Sequence, residues 1–193
     1  NYLSVNKLNF NILSINILSI NKNEFTFMSI DQRALRNALG QFPTGVTIIT
    51  ADPEGYEPFG VTASSFASVS LDPPLILWSL QKNSDTFDAF AAAKHFAVNV
   101  LSADQQDISN QYAKKHSHDL AAEHYHPGIA GTPLLNNSIV SFECEVDVCH
   151  DGGDHIIMVG KVLAISDLHE DDLNKASPLV FHAGKYRELK AQS

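Results

Sequence analysis

Lysine and arginine are scarce in this chain: 13 of them face 22 aspartates and glutamates, for a formal charge of -9 over 193 residues. That balance, with no Lys/Arg-dense run, argues against a protein whose main work is gripping nucleic acid or an anionic membrane by charge. Any anionic ligand must be held locally. Cysteine is nearly absent too. Cys144 and Cys149 stand five residues apart, and on one extended segment their Cα atoms would lie roughly 16 Å apart, beyond disulfide reach. Two lone thiols fit a reducing compartment, and a cytoplasmic protein is expected. No stretch approaches the roughly 18 apolar residues of a membrane helix. Three motifs are also missing: Gly-x-Gly-x-x-Gly after a strand, a Walker loop, and Gly-x-Ser-x-Gly. Their absence removes the usual Rossmann and P-loop routes to nucleotides and disfavours serine-nucleophile hydrolysis. What remains is an ordinary apolar content, 44% hydrophobic, enough for one domain with a real core.

Residues 1–27 differ from the rest. They hold seven Asn, four Ile and four Leu, and the pentapeptide Asn-Ile-Leu-Ser-Ile occurs twice in tandem from Asn11 to Ile20. Asn or Ser interrupts the apolar residues too often for a secretory signal. We read this segment as an extension, disordered or translated from upstream, with the natural start at Met28 and the domain proper at 28–193. Removing it takes away Lys7, Lys22 and Glu24 and leaves the balance acidic.

Ser29-Ile30-Asp31-Gln32 has the form of a capping box, with Ser29 as the cap. A helix should follow, with Ala34, Leu35, Ala38, Leu39 and Phe42 along one face and Pro43 closing it. From Gly45 the period changes. Val46 to Thr50 is β-branched throughout, Asp52-Pro53-Glu54-Gly55 supplies a turn, and Phe59 to Ala63 is extended. Phe66–Leu71 and Leu75–Leu80 are further strands, with a corner at Asp72-Pro73-Pro74 between them. Ser84 is expected to cap a helix running to about Lys94. His95–Leu101 is a strand, Asp104–Lys114 a helix, and His116–Asn137 a loop rich in His, Gly and Pro. Two long strands, Ile139–Cys149 and Ile156–Ile165, are joined by a glycine turn, and a last short strand lies near Leu179–Phe181. The expected fold is mainly β with peripheral helices: a small closed, antiparallel, six-stranded barrel, which would leave no exposed edge.

Two stretches carry unusual chemistry. Lys82-Asn83-Ser84-Asp85-Thr86 stands where a strand gives way to a helix and points amides, hydroxyls and an ammonium at one spot, which suits a phosphate; a plain helix cap is the alternative. Thr62-Ala63-Ser64-Ser65 and on to Ser68 replaces bulky side chains by small hydroxyl residues, which lets a flat ligand approach the backbone, or else marks a bulged edge strand. Asp151-Gly152-Gly153-Asp154 is first a turn, and it delivers His155 to a strand end. His116-Ser117-His118 and His124-Tyr125-His126 lack thiolate or carboxylate companions at metal-ligand spacing and read as solvated loop residues, so no metal is expected.

The order of these segments resembles the flavin reductase-like family with the FMN-binding split barrel, the reductase components of two-component flavin monooxygenases. The resemblance is carried in order by Phe42-Pro43-Thr44-Gly45-Val46-Thr47, Thr62-Ala63-Ser64-Ser65-Phe66, Ser68-Val69-Ser70-Leu71-Asp72-Pro73-Pro74, Phe96 to Leu101, Gly153-Asp154-His155, and Pro178 to Phe181 followed by Gly184-Lys185-Tyr186. It covers roughly Asp31 to Leu189 and implies a homodimer binding FMN, or FAD, with hydride passing from the C4 of NADH or NADPH to flavin N5. Reduced flavin would go to a separate oxygenase component. The resemblance places the flavin phosphate near Lys82, Asn83, Ser84 and Thr86, the ring near Thr62 to Ser65 and Ser68, and Thr44, Gly45, Val46 and Thr47 at the border of the same pocket. It puts His155 beside the pyridine nucleotide, with Phe181, Gly184 and Tyr186 along the approach. No side-chain acid or base is implied, because hydride moves directly between two rings. A non-catalytic FMN electron carrier or flavin store is the alternative, since fold does not fix function.

Overall fold

The computed structural model describes residues 30–166 and 177–189. The readings of residues 1–27, of Met28 and of the Ser29 cap lie outside the described residues. The first helix, α1 (Gln32–Leu39), is capped by Asp31, whose side chain accepts a hydrogen bond from the Ala34 amide at 2.7 Å. None of its residues is buried. Its apolar positions, expected to pack, face outward together with Phe42, which is 76% exposed.

The strands that follow are β1 (Thr44–Gly45), β2 (Thr47–Ala51), β3 (Phe59–Ala63), β4 (Ala67–Leu71), β5 (Pro74–Gln81), β6 (His95–Val100), β7 (Tyr125–Pro127), β8 (Pro133–Leu135), β9 (Val140–Gly152), β10 (His155–Ile165), β11 (Val180–His182) and β12 (Lys185–Arg187). Between β5 and β6 lies α2 (Phe87–Ala92), and after β6 a 3-10 turn leads into α3 (Gln106–Tyr112). Seven strands form one sheet in the order β3-β2-β6-β9-β10-β5-β4; β1, β11 and β12 form a second and β7 with β8 a third. Every recorded pairing is antiparallel.

The expected six-stranded, closed barrel is therefore corrected. The main sheet has seven strands, and its hydrogen-bonded order ends at β3 and β4. Those two end strands are consecutive in the chain, linked by Ser64-Ser65-Phe66 alone, so at that corner they are no more than about 14 Å apart. At that corner a covalent link, and no ladder of hydrogen bonds, joins the two edge strands, and this corner is the seam of the sheet. Ser65 fastens this link to β5, its hydroxyl accepting from the Ser79 amide at 2.9 Å and donating to the Ser79 carbonyl at 3.2 Å.

On β5, Ile76, Trp78 and Leu80 alternate inward with period two. Trp78 is fully buried, in edge-on contact with Phe90 at 4.9 Å and Phe96 at 6.0 Å between ring centroids. Gly160 pairs with Val146 where the β9–β10 register shifts, and its Cα faces the Phe96 ring. A Cβ there would lie 2.5 Å from the Phe96 ring, so only glycine lets the strand pass so close. One buried polar group, Asn99, knits four strands: its amide nitrogen donates to the Ile48 carbonyl and Thr50 Oγ1, both at 3.0 Å, and its oxygen accepts from the Leu135 amide and Ser141 Oγ.

Other expectations shift as well. The helix expected from Ser84 to Lys94 is the shorter α2, preceded by Thr86, because Ser84 to Phe87 forms a separate turn closed by the Phe87 amide on the Ser84 carbonyl. The loop His116–Asn137 contains the β7–β8 hairpin, and β12 pairs with β11 where only one short strand was expected. Among the described residues no helix is long and apolar enough to cross a membrane.

Candidate functional site

A cavity of about 370 Å³ opens at the seam, within the roughly 300–1,000 Å³ typical of small-molecule sites. One wall is Thr62-Ala63-Ser64-Ser65, the end of β3 and the link to β4. Trp78 and Leu80 come from the inward face of β5, and Asn83, Ser84 and Asp85 from the turn beyond it. His155, at the start of β10, and Lys115 with His118, from the segment after α3, also line it. The indole N–H of Trp78 is buried with no hydrogen-bond partner among the described residues. An unpaired buried donor beside a cavity is costly unless something arrives to accept from it.

The seam hydroxyls are mostly committed. Thr62 Oγ1 donates to the Ser109 carbonyl at 2.7 Å, and Ser65 is held by β5. Ser64 stays exposed at the cavity wall. The wall therefore offers backbone and small side chains on a rigid support, which suits a flat ring more than a mobile chain. Thr47 supports it from behind, donating to the Ala63 carbonyl at 2.8 Å.

At the far end, the β9–β10 turn docks onto β5 through the Lys82 amide, which donates to the Asp154 carbonyl at 2.9 Å. Gly153, with φ +80°, makes this turn possible. Lys82 Nζ lies 3.0 Å from an oxygen of Asp151, and His155 Nδ1 lies 2.7 Å from an oxygen of Asp154. The Lys82 hydrogen bond and the Gly153 amide hold the Asp151 carboxyl below its ordinary range, and His155 does the same for Asp154. These pairs are well exposed, so Lys82 and His155 can each exchange a partner for a ligand at little cost.

The opposite rim is tighter. Asp85 Oδ1 lies 2.9 Å from His118 Nε2, and Oδ2 accepts from the His116 amide at 2.6 Å. His118 Nδ1 lies 3.1 Å from the Gly60 carbonyl, so its ring is wedged between β3 and the turn. Burial pushes the Asp85 carboxyl up, but the His116 amide and His118 outweigh it and leave it below its ordinary value. From sequence Asp85 is read only as part of the Lys82–Thr86 junction, and His116 and His118 only as solvated loop residues; their mutual contact is not anticipated. The signal is a contact between residues 33 positions apart, which no local pattern carries.

Of the residues singled out beforehand, Thr62, Ala63, Ser64, Ser65, Asn83, Ser84 and His155 are brought together around the cavity. The others lie elsewhere. Thr44 and Gly45 pair with Phe181 and Val180, and Val46 is buried against Leu179, Phe181 and Tyr186 in a second core cluster. Tyr186 reaches the seam indirectly, its hydroxyl 2.8 Å from that of Ser109, whose carbonyl holds Thr62. Gly184 forms the β11–β12 turn. Ser68 lies on β4 opposite Ile76. Lys82 points to Asp151, and Thr86 is buried with its hydroxyl 2.9 Å from that of Ser84. The loop histidines read as solvated are partly engaged: His118 as above, His124 with the Tyr112 hydroxyl and His126 with Asn136.

Comparison with known proteins places this geometry in context. The family described as flavin reductase like domain matches residues 39–190. The chain is 43% identical over 175 residues to the FMN reductase (NADH) SmoA of Agrobacterium fabrum, covering 88% of this chain and 94% of that protein. It is 37% identical over 163 residues to HsaB, the reductase subunit of a flavin-dependent monooxygenase of Mycobacterium tuberculosis, covering 84% and 85% respectively. Among solved structures, the NADH:FAD oxidoreductase of Streptomyces globisporus in complex with NAD and FAD fragments superposes with a TM-score of 0.74 at 34% identity, covering 83% of this chain and 93% of that one.

Proposed function

The chain belongs to the flavin reductase-like family, and on that premise we propose that it is an NADH-dependent flavin reductase that supplies reduced flavin to a separate monooxygenase component. The seam cavity carries this reading, because it gathers Thr62–Ser65, Asn83–Ser84 and His155 from three distant segments into one site of suitable size. The residues fit a flavin: a small-residue wall flat enough for a ring, an unpaired Trp78 N–H, and a polar turn with Lys82 and Lys115 nearby for a phosphate. Flavin, when bound, supplies the ring that accepts hydride from the reduced nicotinamide.

The protein's share is placement and exclusion of water. Ser65 and Thr62 fix the wall through backbone hydrogen bonds, so the ring meets a surface that does not reorganise. Trp78 and Leu80 keep the inner side apolar. Asn83 and Ser84 hold the phosphate end, joined by Lys82 once it leaves Asp151. His155 touches the pyridine nucleotide at the open side. None of these groups needs to transfer a proton in the hydride step.

The working unit spans 28–193 and is a homodimer. Ile30 at 72%, Leu39 at 67% and Phe42 at 76% exposure form an apolar face around α1 that a second copy would cover. Two free thiols, Cys144 and Cys149, favour a reducing compartment. Steady-state oxidation of NADH and NADPH with excess FMN, FAD and riboflavin tests the activity. Multiple turnovers per protein are expected, whereas a single stoichiometric reduction would mark an electron carrier instead.

A further inference from the structure

The small sheet of β1, β11 and β12 stands outside the lining of the seam cavity, yet two routes of hydrogen bonds run from it to the cavity wall. The first is through backbone. Val46 follows β1 directly; its amide donates to the Leu179 carbonyl at 3.1 Å, and the next residue, Thr47, donates its hydroxyl to the Ala63 carbonyl at 2.8 Å. The second is built from side-chain hydroxyls. Tyr186, on β12, donates to Asn110 Oδ1 at 3.2 Å, and its oxygen lies 2.8 Å from Ser109 Oγ. With the phenolic proton directed to Asn110, Ser109 is the donor of the shorter bond. The Ser109 carbonyl in turn accepts from Thr62 Oγ1 at 2.7 Å and from the Ala113 amide at 3.1 Å. One fully buried residue thus closes the end of α3 and holds the wall strand β3.

We infer that Tyr186 is a positioning residue for the flavin ring, acting through Ser109 and Thr62 on the small-residue wall and touching no ligand itself, a role that rests on the seam cavity being the flavin site. Its ring is fixed edge-on to Phe181, with 5.4 Å between centroids, so the phenolic oxygen is a firm acceptor. Without that oxygen the buried Ser109 hydroxyl must find another acceptor, and α3 shifts with the carbonyl that Thr62 uses. A site that works by placement registers such a shift. The sequence resemblance put Tyr186 along the approach of the pyridine nucleotide, where its loss would act on NADH. Behind the wall, its loss acts on flavin.

A double-mutant cycle on FMN binding tests this, with Tyr186→Phe and Thr62→Val each deleting one hydroxyl, under conditions where urea melts show the variants folded. Each substitution should raise the FMN dissociation constant about fivefold and alter the visible circular dichroism of the bound flavin. If the two act in one line, the double variant is also about fivefold weaker; independent effects would multiply to about twenty-fivefold and overturn the proposal. The KM for NADH at saturating FMN should stay unchanged in Tyr186→Phe. A raised KM with FMN affinity intact would return Tyr186 to the nucleotide approach. Ser109→Ala cuts the same line in the middle and replaces Tyr186→Phe in the cycle if that variant does not fold; unchanged FMN affinity in either folded variant would also overturn the proposal. Wild-type protein that binds no FMN would remove the flavin-site reading together with this one, whereas FMN binding with a multiplicative cycle would remove this one alone.

Discussion

The two rims of the seam cavity use the same chemistry, a carboxylate beside a histidine, in opposite settings. At one rim Asp85 and His118 have side chains 26% and 11% exposed, and the ring is held from both sides. At the other, Asp154 and His155 are 82% and 40% exposed, and their neighbours Asp151 and Lys82 are comparably open. A pair wedged between elements fixes a wall. A pair in water contributes little to stability and can trade partners. The first rim therefore belongs to the scaffold and the second to ligand exchange, although both read in sequence as polar loop residues.

The largest effect that would break this contrast lies behind the rigid side. Trp78→Ala should cost about 3–5 kcal/mol in denaturant melts, since it empties the centre of the aromatic cluster, and should remove flavin binding with it. Asp85→Asn should lower stability by roughly 1 kcal/mol. It should also flatten the acid limb of the stability profile: a carboxyl held below its ordinary value stabilises the fold at pH above that value and loses the contribution as pH falls through its own pKa. An unchanged acid limb in urea melts between about pH 2 and 5 would place Asp85 with the loose rim.

At the loose rim the expected changes are functional and leave the melt alone. His155→Ala should raise the KM for NADH about tenfold while FMN titrations stay the same. An unchanged KM would take His155 out of the site. Lys82→Met should weaken FMN by about fivefold and riboflavin not at all, because riboflavin has no phosphate for the ammonium to meet. Equal losses for both flavins would show that Lys82 acts on the fold.

Much of the scaffold was legible. Val46–Thr50 stood out by β-branching ahead of turn residues, and the two long strands by length and the glycine turn between them. Thr62 to Ser65 drew attention because small hydroxyl residues are unexpected on a core strand. What stayed hidden depends on distance along the chain. The main sheet's ends could not be located without knowing that β3 and β4 flank a three-residue link, and the hold of Asp151 on Lys82 spans 69 positions. Helix α1 misled for another reason: its spacing is amphipathic, but among the described residues none buries its apolar face.

The central claim is that flavin occupies the seam, and thiol protection tests its location directly. In Ser64→Cys, the introduced thiol lies on the cavity wall, whereas native Cys149 is exposed. Cys144 is silent in the native state, because burial, assisted by Glu143, pushes its pKa up to about 12. Saturating FMN should slow alkylation of the introduced thiol at least about tenfold and leave the Cys149 rate unchanged. Equal reactivity of the introduced thiol with and without FMN, while flavin absorbance reports full binding, would put the flavin elsewhere.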